Sequence, residues 1–320
     1  MRFSVVIPLY NKAPYVAKAI NSVLSQSFAD YELIVVDDGS EDDSATIVTG
    51  CIDGRDNCQL IRRKNAGVSV ARNNGVAVSR GDYICFLDAD DWWEPFFLEE
   101  MSRLIVEFPD AGIYGTNYII VNETKRKTRM ANVGIEKGFE MGYINYCQVY
   151  AKTLNMPLTS ISVAIPRQVF GEIGGFPEGI KLGEDFLLWI RIALKYKVVF
   201  LNKPMAYYNQ DVDVANRSVG RLHRPEDHML WNLGFLSVEE SINPDYKQLI
   251  DNLRTYELLP YFLSRDYHEV AVQELAKVDW KMQSEKTRKQ YQRPLFVLRA
   301  EYRIRKMGSI GKQWLFRVLK

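Results

Sequence analysis

The strongest constraint on the fold is an alternation in the first 120 residues between short apolar runs and amphipathic stretches. Residues 3–8, 32–36, 59–62 and 83–87 have the length and apolar character of buried strands. Between them, 13–27, 42–51 and 67–79 read as helices. The first places Val16, Ile20, Val23 and Leu24 at helical spacing, and the third carries a small-residue face of Val70, Ala71, Gly75 and Val78. Strands alternating with helices predict a parallel sheet with helices on both faces. Ligands of such sheets bind beyond the carboxyl ends of the strands. That rule singles out residues 9–12, 37–40, 64–67 and 88–91.

The middle of the chain is less regular. Residues 113–121 and 160–165 read as strands, 167–173 as a short helix closed by Gly174-Gly175, and 198–201 and 205–208 as edge strands. The helix at 184–195 presents Leu187, Leu188, Ile190 and Leu194. Residues 209–222 lack periodicity and read as a mobile loop, and from Pro225 onward the pattern is helical. The expected organisation is a main domain over 1–222 and a helical extension over 223–320.

Hydrophobic residues make up 47% and charged residues 25% of 320, which excludes wholesale disorder. The charge is unevenly placed: residues 281–320 hold 12 Lys/Arg against 2 Asp/Glu, leaving 1–280 at net −9. Cys51, Cys58, Cys85 and Cys147 show no C-x-x-C spacing, so reduced thiols of a cytoplasmic protein are expected. Only three histidines, His223, His228 and His268, argue against a His-rich zinc site, and the first two are read as non-catalytic. The opening apolar run is too short for a signal peptide, and no 18-residue apolar stretch predicts a spanning helix.

The strongest chemical signal is Gly81-Asp82-Tyr-Ile-Cys-Phe-Leu-Asp88-Ala-Asp90-Asp91, where a buried strand delivers three carboxylates to the sheet edge. Asp88 and Asp90 project to one side of an extended segment. A hard divalent cation, Mg²⁺ or Mn²⁺, relieves their repulsion and draws further oxygens from water and a diphosphate. A solvated acidic loop capping the helix near Pro95 is the competing reading. In Asp37-Asp38-Gly39-Ser40, a carboxylate past a strand suits hydrogen bonding to a base, and Ser40 with Asp43 also fits a helix cap. Asn65-Ala-Gly67 opens a helix whose free N–H groups attract anions, with Arg72 in reach of a phosphate. Asp185, in Gly183-Glu184-Asp185-Phe186, sits where a helix dipole favours its ionised form, as a general base requires; ordinary first-turn acids are the alternative. Trp92-Trp93 suits either a sugar wall or core packing.

Taken in order, SVVIPLYNK (4–12), VVDDGS (35–40), NAGVSVARNNG (65–75), GDYICFLDADD (81–91) and GEDFLLW (183–189) resemble the successive motifs of family 2 glycosyltransferases with the GT-A fold. The resemblance covers roughly 1–210. It implies a Rossmann-like α/β domain with a mostly parallel mixed sheet, whose residues 1–120 bind a nucleotide sugar and whose 121–222 face the acceptor. Pro8 and Tyr10 would line the nucleoside pocket, Asp38 would bind the base, typically uracil, and Gly67 and Arg72 would lie near the diphosphate. Asp88 and Asp90 match the D-x-D, with Asp90 as the direct metal ligand, and Asp185 matches the base of an inverting displacement. The implied partners are a nucleotide-diphospho sugar and a saccharide or lipid-linked acceptor. The absence of Q-x-x-R-W departs from processive synthases. Residues 209–218 lack the family's frequent His, leaving Arg217 as a candidate to close over the diphosphate.

Residues 294–320 mix basic side chains with Leu298, Tyr302, Trp314 and Leu315, the composition of an interfacial helix on an anionic membrane. Packing on the acidic body and a homodimer contact are the alternatives. No motif supports nucleic-acid binding. Two other functions compete: a metal-dependent phosphatase or phosphotransferase with Asp88 as nucleophile, and a non-catalytic sugar-binding scaffold.

Overall fold

The computed structural model describes residues 2–304 except 123, 125 and 212–221. Arg217 and the tail beyond residue 304 therefore lie outside the described residues. The chain divides into two compact units, Met1–Leu236 and Ser237–Lys320. Residues 223–236, expected with the helical extension, belong to the first unit. They are tied in there by a bridge from His228 to Leu182 and by Asp227, whose carbonyl accepts from the Lys181 N–H.

The first unit runs β1 (Phe3–Leu9), α1 (Val16–Leu24), β2 (Tyr31–Asp37), α2 (Ser44–Ile52), β3 (Cys58–Arg62), α3 (Val68–Val78) and β4 (Tyr83–Phe86). It continues with β5 (Trp92–Trp93), α4 (Phe97–Glu107), β6 (Ala111–Asn122), β7 (Lys127–Met130), β8 (Met141–Ile144) and α5 (Tyr146–Thr153). β9 (Val163–Pro166), α6 (Arg167–Ile173), α7 (Glu184–Lys195) and β10 (Lys197–Asn209) complete it. All ten strands form one sheet in the order β3-β2-β1-β4-β9-β6-β10-β5, with β7 on β6 and β8 on β10.

β1, β2, β3 and β4 are mutually parallel, so their carboxyl ends share one edge. β9 runs antiparallel between β4 and β6, making the sheet mixed, as the GT-A reading expects. Every residue of β1 and β2 is buried, which explains their unbroken apolar runs. Ser4, Glu32 and Asp37 are the polar exceptions. The Glu32 carboxylate is satisfied by Ser4 Oγ at 2.7 Å and the Gly81 N–H at 3.1 Å. The small-residue face of α3 meets the sheet at Gly75, where a Cβ would lie 2.4 Å from Val6 Cγ1.

The two edge strands expected at 198–201 and 205–208 are one strand inside the sheet. β10 pairs with β6 throughout, and register shifts on either side of Pro204 accommodate the residue that suggested a break. Residues 160–162 form a 3-10 turn leading into β9 rather than its first residues.

The second unit, described by itself, contains α8 (Ser237–Ile242), α9 (Pro244–Glu257), α10 (Leu259–Leu263), α11 (His268–Leu275) and α12 (Glu285–Gln292). Residues 295–304 are also helical. Arg254 of α9 is 2% exposed and ion-paired to Glu240, with Asp251 at 3.4 Å and Glu274 at 3.5 Å. No helix among the described residues is long and apolar enough to cross a membrane.

Candidate active site

The site assembles where the parallel strands end. Strand order reverses around β1 and β4, the place where an open α/β sheet leaves a crevice. Pro8 is buried inside β1, in register with Val36, while Tyr10 just past the strand is 46% exposed. Asn11 then adopts a left-handed conformation, φ 49°. This turns the chain so that its own N–H donates to Ser40 Oγ at 3.0 Å and the Lys12 N–H to Ser44 Oγ at 2.9 Å. The Ser40 hydroxyl is thus spent on the neighbouring loop. The cap position of α2 falls to Asp43, which makes no side-chain cap bond, so the expected capping pattern does not form.

Asp38 is 3% exposed. Its carboxylate accepts from the Ala66 N–H at 3.0 Å and the Gly67 N–H at 2.7 Å, with Arg63 Nε at 3.3 Å. Gly67 holds φ 98° at the start of α3, and its N–H points to this carboxylate. Asp38 therefore staples the end of β2 to the loop before α3, and both its oxygens are engaged within the chain.

The acids lie one strand over. Arg72, projected from α3 and 3% exposed, donates Nη2 to Asp88 Oδ1 at 2.7 Å and Nη1 to Glu184 Oε1 at 3.1 Å. Its guanidinium carbon lies 4.9 Å from the Phe176 ring centroid. The residue expected beside a diphosphate joins the D-x-D to the start of α7. Lys12 Nζ pairs with Asp90 Oδ2 at 2.6 Å. Asp91, 2% exposed, accepts from the Asn209 N–H at 2.7 Å and so anchors the acidic loop to the end of β10.

Burial pushes the Asp90 carboxyl above its ordinary range, with the charge of Asp88 adding and that of Lys12 opposing. Asp91 is raised well above that range by burial and by both neighbouring carboxylates. Asp185 is pushed up to about 7 by burial and then by the charge of Glu184, against the pull of Arg72 and of the Phe186 N–H, which donates to it at 2.7 Å. The helix terminus was expected to hold Asp185 firmly ionised; burial and a like charge outweigh it. Burial, with the charge of Asp185 adding, also pushes the Tyr118 hydroxyl up to about 12.

The structure thus brings Asp88, Arg72, Glu184 and Asp185 together, with Lys12 and Asp90 alongside. Lys12, Glu184, Asn209 and Tyr118 were not foreseen as site residues. The first two stand inside the recognised motifs, beside Asn11 and Asp185, and adjacency was their signal. Nothing local marks Asn209 or Tyr118. Trp93 is core, 3% exposed, with its indole N–H on the Ile161 carbonyl at 2.6 Å. Trp92 stacks on Tyr207 at 5.1 Å with Lys18 Nζ 3.0 Å from its ring centre, so its ring is already partnered.

Among the described residues no three His, Cys, Asp or Glu side chains converge as a complete cation shell. Asp88 and Asp90, each holding one basic side chain of the protein, fit an ion that takes its remaining ligands from a diphosphate and water.

The glycosyl transferase family 2 model matches residues 4–174, more than half of the chain. The chain belongs to glycosyl transferase family 2. Its relatives include glycosyltransferase GlyA of Streptococcus pneumoniae, 31% identical over 214 residues that cover 65% of this chain and 30% of GlyA. An uncharacterized glycosyltransferase of Rickettsia conorii is 30% identical over 209 residues, 64% of this chain and 32% of that protein. The family 2 chain thus spans about a third of the length of these relatives. In fold it is similar to residues 1–349 of Staphylococcus aureus TarS, solved with UDP-GlcNAc, at a TM-score of 0.72 and 19% identity over 86% of this chain and 80% of that one. It is also similar to the Pyrobaculum calidifontis mannosyltransferase PcManGT, solved with GDP-Man and Mn²⁺, at 0.56 and 16% identity over 99% and 82%.

Proposed function

We propose that this family 2 protein is an inverting glycosyltransferase that moves a sugar from a UDP-sugar to a hydroxyl acceptor in cell-surface polysaccharide, lipopolysaccharide or capsule assembly. One observation carries the reading: Arg72 ties Asp88 of the D-x-D to Glu184, the residue before Asp185, so base and acidic cluster share one site. A carboxyl with a pKa of about 7 is poised to accept a proton near neutral pH.

In this mechanism residues 1–120 hold the donor and residues 121–222 face the acceptor. Tyr10, exposed at the end of β1, packs against the nucleoside, with Pro8 beneath it. Asp38 fixes the loop at Ala66 and Gly67 and offers the base what acceptor capacity it retains. Asp185 takes the proton of the acceptor hydroxyl as that oxygen attacks C1 from the face opposite the nucleotide; the bond from C1 to the diphosphate oxygen breaks and the anomeric centre inverts. Positive charge develops on the sugar ring, as in other glycosyl transfers. Arg72 holds Asp88 and Glu184 in place during the reaction. Asp88 and Asp90 would hold Mg²⁺ or Mn²⁺, which when bound supplies Lewis-acid stabilisation of the departing diphosphate. The bound donors of TarS and PcManGT and the Mn²⁺ of the latter support a nucleotide-sugar, metal-assisted reaction. The basic tail supports a peripheral place on an anionic cytoplasmic membrane surface, where lipid-linked acceptors reside.

The test is a panel of UDP- and GDP-sugars with Mn²⁺ or EDTA, read by thermal shift and product anomer. Asp185→Asn is expected to keep UDP-dependent stabilisation and lose transfer by at least about 10²-fold. Retained transfer in Asp185→Asn, or retention at the anomeric centre, overturns the reading.

A further inference from the structure

The second unit holds a cleft of about 210 Å³ lined by Leu263, Ser264, Arg265, Arg299, Tyr302 and Arg303. Three of these residues are arginines and none is acidic. Arg299 is fixed in orientation, because its Nε donates to the Leu263 carbonyl and its Nη2 to the Ser264 carbonyl, each at 3.0 Å. Those bonds satisfy one edge of the guanidinium with neutral acceptors and leave its positive charge uncompensated. Arg265 and Arg303 form no ion pair among the described residues, although Arg254 and Arg293 of the same unit are paired to acids. Like-charged arginines around one cleft repel one another, and a tetrahedral oxyanion relieves that repulsion while matching their planar N–H forks.

The surroundings say where such an anion comes from. Phe296, Arg299 and Arg303 follow at helical spacing in the helix over 295–304, with Ile304 adjacent. Phe296 is 75% and Ile304 69% exposed, so large apolar side chains are exposed on the helix that carries Arg299 and Arg303. Exposed apolar anchors around a cationic cleft match the boundary between lipid headgroups and acyl chains.

We propose that Arg265, Arg299 and Arg303 form a phosphate-binding site, distinct from the donor site, that takes the phosphate of an anionic lipid headgroup. It deepens the membrane placement proposed for the basic tail and rests on it, while the sugar-transfer chemistry stands or falls separately.

The test uses the full chain and two probes, inorganic phosphate in calorimetry and flotation with phosphatidylcholine vesicles with or without phosphatidylglycerol. Arg265→Gln/Arg303→Gln is expected to weaken phosphate binding about tenfold or more and to weaken flotation with anionic vesicles. Lys281→Gln/Lys286→Gln, which removes equal charge outside the cleft, is expected to change neither. Arg265→Lys/Arg303→Lys, which keeps the charge but not the fork, separates site geometry from bulk attraction and should recover only part of the loss. Phosphate binding lost in the Gln variant without any change in flotation reassigns the site to a soluble phosphate ester. No phosphate binding by the wild-type chain, or equal losses in both Gln pairs, overturns the site. UDP-dependent thermal stabilisation is measured in parallel, so that failure here and failure of the donor reading are told apart.

Discussion

At the scale of single residues, the site is governed by which charges share Arg72. Asp185 stands at about 7 because burial and Glu184 outweigh Arg72, so transfer is expected to rise with pH through about 7 as Asp185 ionises. Glu184→Gln removes the like charge and frees Arg72 toward Asp185, and both effects lower the Asp185 pKa. The acid limb of the pH profile of kcat/KM should therefore move to lower pH in this variant. A shift to higher pH would refute the electrostatic account. Lys12 acts on the other acid. Its ammonium occupies Asp90 at 2.6 Å, with both side chains less than a fifth exposed. A divalent cation must displace it or share that carboxylate. Lys12→Met is expected to tighten Mn²⁺ binding in the absence of donor by about tenfold, equivalent to ~1.4 kcal/mol, as measured by paramagnetic resonance titration.

Among the elements, α3 carries the most. It starts on the Gly67 N–H held by Asp38, delivers Arg72 and packs on β1 through Gly75. Gly75→Ala gains about 1 kcal/mol of helix propensity. The added methyl meets Val6 Cγ1 at 2.4 Å, however, and overpacking of a buried contact opposes by about 1–3 kcal/mol. The expected result is a lower melting temperature together with weaker UDP binding, because the helix cannot move off β1 without moving Arg72. Elements also differ in how legible they were. β1 to β4 and α1 to α3 follow from their apolar runs and periodicity. β5 is too short, at two residues, to show a period, and β7, exposed throughout, has no apolar pattern because its neighbour β6 rather than burial holds it in the sheet. β10 was divided in two because Asn202-Lys203-Pro204 looks like a break, and only pairing with β6 shows it to be a bulge.

For the molecule as a whole, two units share one chain. The first buries a continuous apolar sheet. The second buries a smaller apolar core that includes Tyr246, Leu249, Ile250 and Leu253, and adds Arg254, buried among Glu240, Asp251 and Glu274. Arg254→Met leaves those acids short of a cation and is expected to destabilise the second unit by about 3 kcal/mol. Hydrogen exchange should then show faster opening across α8–α11 with protection of β1 to β4 unchanged. Uniform loss across both units would show that they unfold as one. The sequence alone determined the α/β order and the edge on which the acids Asp88 and Asp90 emerge, because strand burial and helix periodicity are local and repeat within a few residues. Tertiary structure alone decided the pairing of those acids. Arg72 meets a carboxylate 112 residues away, Lys12 one 78 away, and Asp91 a backbone N–H 118 away. Such partners are chosen by strand order and by what burial makes a charge seek, and neither is written in any short stretch of chain.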